Sequence, residues 1–316
     1  MTQPAGRAAG DGAGTMAPAP GRPRGILALD IDGTLLGPGG HLGERTRRAV
    51  HAAGAAGWLV TLATGRRWTS TKPVADDLGL RVPLIVFNGA LVRDSVGGEI
   101  LIYNPLPREV VAPLVDALLA RGLPPVIYED VQAGERMLAG PAELDNGAIG
   151  AWLARITTEY GPVLHRLSVA ALREVGTATR LLIADAAERM RTIDRLAAEL
   201  GLDYRTLLYP IEQDGMQVAE LLHPSGTKAA ALRALAARYG LTMADVVAVG
   251  DGHNDVEMLA EAGLGVAMGQ APPEVRAHAG HVIGRHVDEG LAAFIEDDLL
   301  GAPGFPYHLL ARARQP

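Results

Sequence analysis

Short apolar runs alternate with helix-patterned stretches in both outer parts of the chain. Ile26–Leu29 is an uninterrupted apolar run, long enough for a buried strand and too short for a helix. It breaks directly into Asp30-Ile31-Asp32-Gly33-Thr34. Glu44–Ala56 then carries apolar positions at Ala49, Val50 and Ala53 and stops at Gly57, which predicts a helix. Trp58–Ala63 predicts a second strand, ending at Thr64-Gly65-Arg66-Arg67. A helix through Val74–Leu78 closes at Gly79, and Pro83–Phe87 is a third strand ending at Asn88-Gly89. This β-α-β-α-β order, with turn residues at each strand end, argues for a parallel sheet with crossover helices.

The same grammar returns further on. Ser225-Gly226-Thr227-Lys228 precedes an Ala/Leu-rich helix that stops at Gly240. The apolar run Asp245–Val249 ends at Gly250-Asp251-Gly252-His253-Asn254-Asp255, a helix Val256–Ala262 follows, and Leu264–Met268 and His281–Ile283 read as strands. Between these halves the rhythm changes to strand, helix, strand around Glu99–Glu129, a helix at Ala148–Tyr160, and a β-α-β-β series through Leu222. The fold class is therefore α/β: a Rossmann-like parallel-sheet core carrying an inserted α+β domain. The expected division is a disordered tail at 1–24, a discontinuous core at 25–89 and 214–300, the insertion at 90–213, and a C-terminal tail at 301–316.

Composition narrows the function classes. The 316 residues are 48% hydrophobic and 21% charged, enough to build real cores, and the formal net charge is -7. An acidic balance disfavours a nucleic-acid partner, which would need a basic face. The chain has no cysteine, which excludes thiolate metal sites and disulfides and fits a cytoplasmic location. The first 24 residues lack the apolar centre of a signal peptide, and Met16 within them is a candidate start. The uncharged stretch 49–65 is short for a membrane span and contains His51, Gly54 and Gly57, so no membrane association is expected. Only Lys72 and Lys228 are lysines among 29 basic residues, so each lysine calls for a reason.

The polar strand ends form a constellation. Asp30 and Asp32 follow one strand, Thr64 a second, Asn88 a third, and Asp251, Asn254 and Asp255 a fourth. In an open parallel sheet, residues just past the carboxyl ends of the strands line one crevice. Four aspartates would then converge with Thr64, and Lys228 would enter from a helix start. Carboxylates so crowded repel one another unless a cation binds, and oxygen ligands without Cys or a His cluster favour Mg²⁺. A carboxylate beside Mg²⁺ can accept a phosphoryl group, and a neighbouring acid can serve the leaving oxygen and then the water.

These residues resemble a known family. Asp30-Ile31-Asp32-Gly33-Thr34-Leu35 is similar to the first motif of the haloacid dehalogenase-like phosphatases. Thr64 resembles the second motif, Lys228 the third, and Gly250-Asp251-xx-Asn254-Asp255 the fourth. Phe87-Asn88-Gly89-Ala90, Gly265-Val266-Ala267-Met268-Gly269 and Asp288-Glu289-Gly290 resemble the Cof-type subgroup, and the likeness runs from Gly25 to about Ile295. The resemblance implies Asp30 as nucleophile and Mg²⁺ ligand, and Asp32 as general acid/base with its backbone carbonyl on the metal. It implies Ile31, Thr64, Gly65, Lys228 and Asn254 as phosphate holders, Asp251 and Asp255 as further metal residues, and Asn88 as a possible substrate contact. The insertion would be the family's large α+β cap. The activity implied is Mg²⁺-dependent hydrolysis of a small phosphorylated metabolite, such as a sugar phosphate, through an aspartyl-phosphate. The alternatives are a phosphomutase on the same core, or a non-catalytic module binding a phosphorylated ligand.

Other features carry less. Arg66 and Arg67 read as solvated or paired with surface acids, with Arg66 a minor substrate candidate. Tyr128, Glu129 and Asp130 end a strand of the insertion and are candidates to face substrate, with a surface loop the simpler reading. His253 reads as a solvent-facing residue at a helix start. Gln270 replaces an Asn frequent in the subgroup, a change expected to touch only a loop contact. Asp251–Asp255 lacks the downstream Glu of an EF-hand, and Ser225–Lys228 lacks the glycines of a Walker A loop.

Overall fold

The computed structural model describes residues 22–129, 131, 135–160, 163–210 and 216–301. The expected tails, apart from residues 22–24 and Gly301, and Asp130 lie outside the described residues. Five parallel strands form the core sheet in the order β14-β13-β12-β1-β2. They are β1 (Gly25–Leu29), β2 (Trp58–Leu62), β12 (Val246–Gly250), β13 (Leu264–Ala267) and β14 (His281–Val282). β1 and β2 and their neighbour β12 are buried along their whole length, which is why their sequences are continuous apolar runs and not alternating ones.

An isolated parallel bridge between Ala63 and Ile85 continues the order to β3 (Pro83–Val86). From β3 the chain turns into an antiparallel hairpin of β4 (Leu91–Asp94) and β5 (Ile100–Tyr103). The insertion is a six-stranded sheet ordered β10-β11-β9-β6-β7-β8. Its strands are β6 (Val126–Glu129), β7 (Met137–Ala139), β8 (Leu164–Arg166), β9 (Ala178–Ala186), β10 (Arg205–Pro210) and β11 (Met216–Leu222). The pairs are antiparallel except β7 with β8. β4 and β5 thus pair with β3, and β11 belongs to the inserted sheet, so sheet membership changes near residues 104 and 222.

Short β4, β7 and β8 carry too little apolar pattern to stand out in the sequence. Two helices also differ from the reading of the sequence. The one expected at Val74–Leu78 spans Trp68–Asp77 and holds Pro73 inside, where the missing N–H leaves a single carbonyl short of a donor. The stretch after β9 is broken into Ala187–Met190 and Ile193–Leu200. No helix among the described residues is long and apolar enough to cross a membrane.

Candidate active site

Two local features aim the acids. Asp30 is the first residue past β1, and its backbone N–H bonds Val249 O at 2.9 Å, which ties it to the end of β12. Gly33, at φ +81°, makes the turn; a Cβ there would lie 2.1 Å from Asp251 Oδ2, so only glycine lets the two loops meet. On the far side, Thr227 caps the helix Lys228–Arg238 by accepting the Ala230 N–H at 2.9 Å. Lys228, the first residue of that helix, thereby points under the sheet ends.

Lys228 is 2% exposed, and its Nζ donates to Asp30 Oδ1 at 2.7 Å and Asp255 Oδ1 at 2.6 Å. The other oxygen of Asp255 accepts the N–H groups of Asp251 and Gly252 at 3.0 and 2.9 Å. Burial disfavours the Lys228 ammonium, but the Asp255 and Asp30 carboxylates outweigh it and hold its pKa above the ordinary value. Burial pushes the Asp30 carboxyl well up, with Lys228 opposing and Asp255 and Asp251 adding to the rise. Burial likewise raises Asp251, against a hydrogen bond from Gln270.

Asp30, Asp251 and Asp255 each offer an oxygen within 4.8 Å of the others. With all three ionised, one ammonium leaves two negative charges unmatched. An all-oxygen donor set with surplus negative charge fits a hard cation, so the three carboxylates can hold a metal ion. The Asp32 carboxylate stands outside this group. It is 63% exposed and held by Arg66, whose Nε and Nη2 reach its two oxygens at 2.7 and 2.5 Å. Of the alternatives for Arg66, pairing with an exposed acid is the one found, because β2 and β1 are neighbours and the loops after them meet.

Seven of the ten positions singled out from the sequence line one cavity of about 360 Å³; Ile31, Lys228 and Asp255 are the others. Ile31 is fully buried, and Lys228 and Asp255 support Asp30 from below the cavity floor. Thr64 is 1% exposed, and its Oγ1 accepts the Arg66 N–H at 3.1 Å. Asn254 donates to Asn88 Oδ1 at 2.9 Å. Asn88 Nδ2 donates onward to Tyr209 Oη at 3.1 Å and Glu220 Oε2 at 2.9 Å, so Asn88 works as a bridge to the insertion. Gln270 is more than a loop contact: its Nε2 donates to Gly33 O at 2.5 Å and to Asp251 Oδ2 at 3.1 Å, fastening both loops. His253 is exposed and meets Glu274 at 3.0 Å.

The insertion supplies much of the remaining lining, and Tyr128 is the one of these residues that the sequence raised as facing substrate. Arg180 on β9 donates to Gly65 O at 2.9 Å and pairs with Glu220 on β11 at 2.7 Å. Its guanidinium lies 4.1 Å from the Tyr128 ring centroid and 5.1 Å from that of Phe87. Tyr128 is a buried strand residue at the cavity, not part of a surface loop. A lone charge inside each of two predicted strands, Arg180 and Glu220, was the available signal, since a charge within an apolar strand needs a partner.

The profile of the haloacid dehalogenase-like hydrolases matches residues 27–295. The chain belongs to that family. Pyridoxal phosphate phosphatase YbhA of Escherichia coli K12 is 27% identical over 280 residues, covering 87% of this chain and 98% of that protein. The HMP-PP phosphatase of Escherichia coli O1:K1 is 30% identical over 289 residues, covering 89% and 98%. In fold, the chain is similar to the subclass IIB sugar phosphatase BT4131, with a TM-score of 0.71 at 22% identity over 86% of this chain and 98% of that one. This haloacid dehalogenase-like hydrolase is a phosphatase, with the parallel core sheet and inserted mixed sheet of subclass IIB.

Proposed function

We propose that the chain is a Mg²⁺-dependent phosphomonoesterase of the cytoplasm that works through an aspartyl-phosphate on Asp30. The observation that carries this is the Lys228 ammonium shared by Asp30 and Asp255, with Asp251 within 4.8 Å. In this reading one Asp30 oxygen stays on Lys228 while the other attacks phosphorus and the ester bond breaks. Thr64, Asn254, Lys228 and the backbone at Ile31 and Gly65 hold the phosphoryl oxygens. Asp32 gives a proton to the leaving oxygen and later takes one from the water that cleaves the acyl phosphate. Mg²⁺, held by Asp30, Asp251 and Asp255 with the Asp32 carbonyl, would neutralise charge on the phosphoryl oxygens.

Arg66 is the added element. Its bidentate grip occupies both Asp32 oxygens, so Asp32 can meet the leaving oxygen only after Arg66 lets go. Arg66 lines the same cavity, and the oxygens of an arriving phosphate offer it a replacement partner. The inserted sheet, from about residue 105 to 222, acts as the cap that excludes water from the first step. The relatives' names point to small phosphorylated metabolites of several kinds, pyridoxal phosphate and HMP-PP among them, and the same breadth, sugar phosphates included, is proposed here. Purified protein with Mg²⁺ should hydrolyse p-nitrophenyl phosphate, and Asp30→Asn should lower turnover by roughly 10⁴-fold or more. Wild-type turnover in that variant would end the covalent mechanism.

A further inference from the structure

The two halves of the cavity differ in what they offer a ligand. One face of the inserted sheet turns toward the crevice. Its register sets Leu182 opposite both Val126 and Glu220, and Val218 opposite Tyr209. Arg180 Nη1 on that face bonds Gly65 and Glu220, and Glu220 also accepts the Asn88 amide. Beyond them the cap presents Leu182, Val218 and the half-buried Trp152 to the cavity.

Tyr209 is the exception. Its phenol oxygen accepts the Asn88 amide at 3.1 Å, so its own hydroxyl proton is directed elsewhere. Among the described residues no acceptor is found for that proton. Burial pushes the phenol well above its ordinary pKa, with Glu220 adding to the rise, so the proton stays in place. A sheltered donor without an acceptor is costly, and a ligand oxygen or ring nitrogen would satisfy it.

We infer that the cap half selects a phosphate ester whose leaving group is a flat aromatic ring with a hydrogen-bond acceptor at its edge. Trp152, Leu182 and Val218 receive the ring, and Tyr209 donates to the acceptor. A polyhydroxylated sugar fits this wall poorly, because hydroxyls set against Leu182 and Val218 would lose water without gaining a partner. The inference rests on the phosphatase reading above and narrows its substrate class.

Three probes test it: pyridoxal 5′-phosphate for the ring, glucose 6-phosphate for the sugar, and acetyl phosphate with no ring at all. The ring probe should exceed the sugar in kcat/KM by about tenfold or more. Leu182→Asn and Trp152→Ala should each lower the ratio of ring to acetyl phosphate about tenfold. Tyr209→Phe should raise KM for the ring probe several-fold with kcat held, and Asn88 keeps Glu220 as its partner in that variant. Trp152→Ala and Tyr209→Phe suffice if Leu182→Asn does not fold. Equal or better use of glucose 6-phosphate, or a ring preference untouched by the variants that fold, would overturn the inference while leaving the phosphatase reading standing. Turnover of none of the three probes would overturn both.

Discussion

Two of the cations buried beside the cavity, Lys228 and Arg180, are built on opposite plans. Lys228 in the core is a compact ammonium between two carboxylates at 2.7 and 2.6 Å, with Asp251 close by. Three acids face one base. Arg180 in the cap is a planar guanidinium matched to the single acid Glu220 at 2.7 Å, with aromatic rings beside it. A point charge can be shared among several oxygens, whereas a guanidinium is fixed by a fork and a flat surface. Surplus negative charge in the core leaves a place for a cation. Balance in the cap leaves nothing to react, and the pair serves to dock β9 and β11 onto Gly65 and Asn88. Among buried ion pairs, it is thus the mismatch in number that marks the chemistry, and the match that marks the scaffold.

Lys228→Met should have the largest effect. It strips the only ammonium from three crowded carboxylates, and removing one partner of a buried pair costs about 3–5 kcal/mol. Urea denaturation in chelator should show a loss of that order, and turnover should fall with it. A variant of wild-type stability would mean the acids do not need the ammonium. Arg180→Met should cost a similar amount, because Glu220 is then left buried without its cation. Here, however, Arg180→Met with Glu220→Leu should recover most of the stability, since a balanced pair can be exchanged for apolar side chains. No apolar replacement of Lys228 and one acid should restore turnover. Failure of the cap double variant to regain stability would show that the contacts to Gly65 and Asn88, and not the pair itself, carry the energy.

The smallest effect sharpens the contrast. At a Mg²⁺ concentration 100 times its Kd, the folded state should gain about 2.7 kcal/mol by mass action. Thermal unfolding with and without Mg²⁺ reads this directly. The gain should shrink in Asp251→Asn and persist in Glu220→Gln. Equal gains in both variants would move the cation away from the core acids.

Sequence by itself determined where the acids stand along the chain and which strands deliver them. Each of those features is local: an apolar run of strand length, a glycine turn, a capped helix start. It also implied a long-range contact of the floor, Lys228 with Asp30, 198 positions apart, because parallel strands bring their carboxyl ends to one edge whatever lies between. Only the tertiary structure decided that Arg66 holds Asp32, that Gln270 fastens Asp251, and that Arg180, Glu220 and Tyr209 roof the cavity. Those partners depend on how loops cross and on how the inserted sheet docks, and no periodicity in the chain encodes a docking angle. The charges of Arg180 and Glu220 were visible inside their strands as residues in need of partners; which partners they find is a property of the assembled surface.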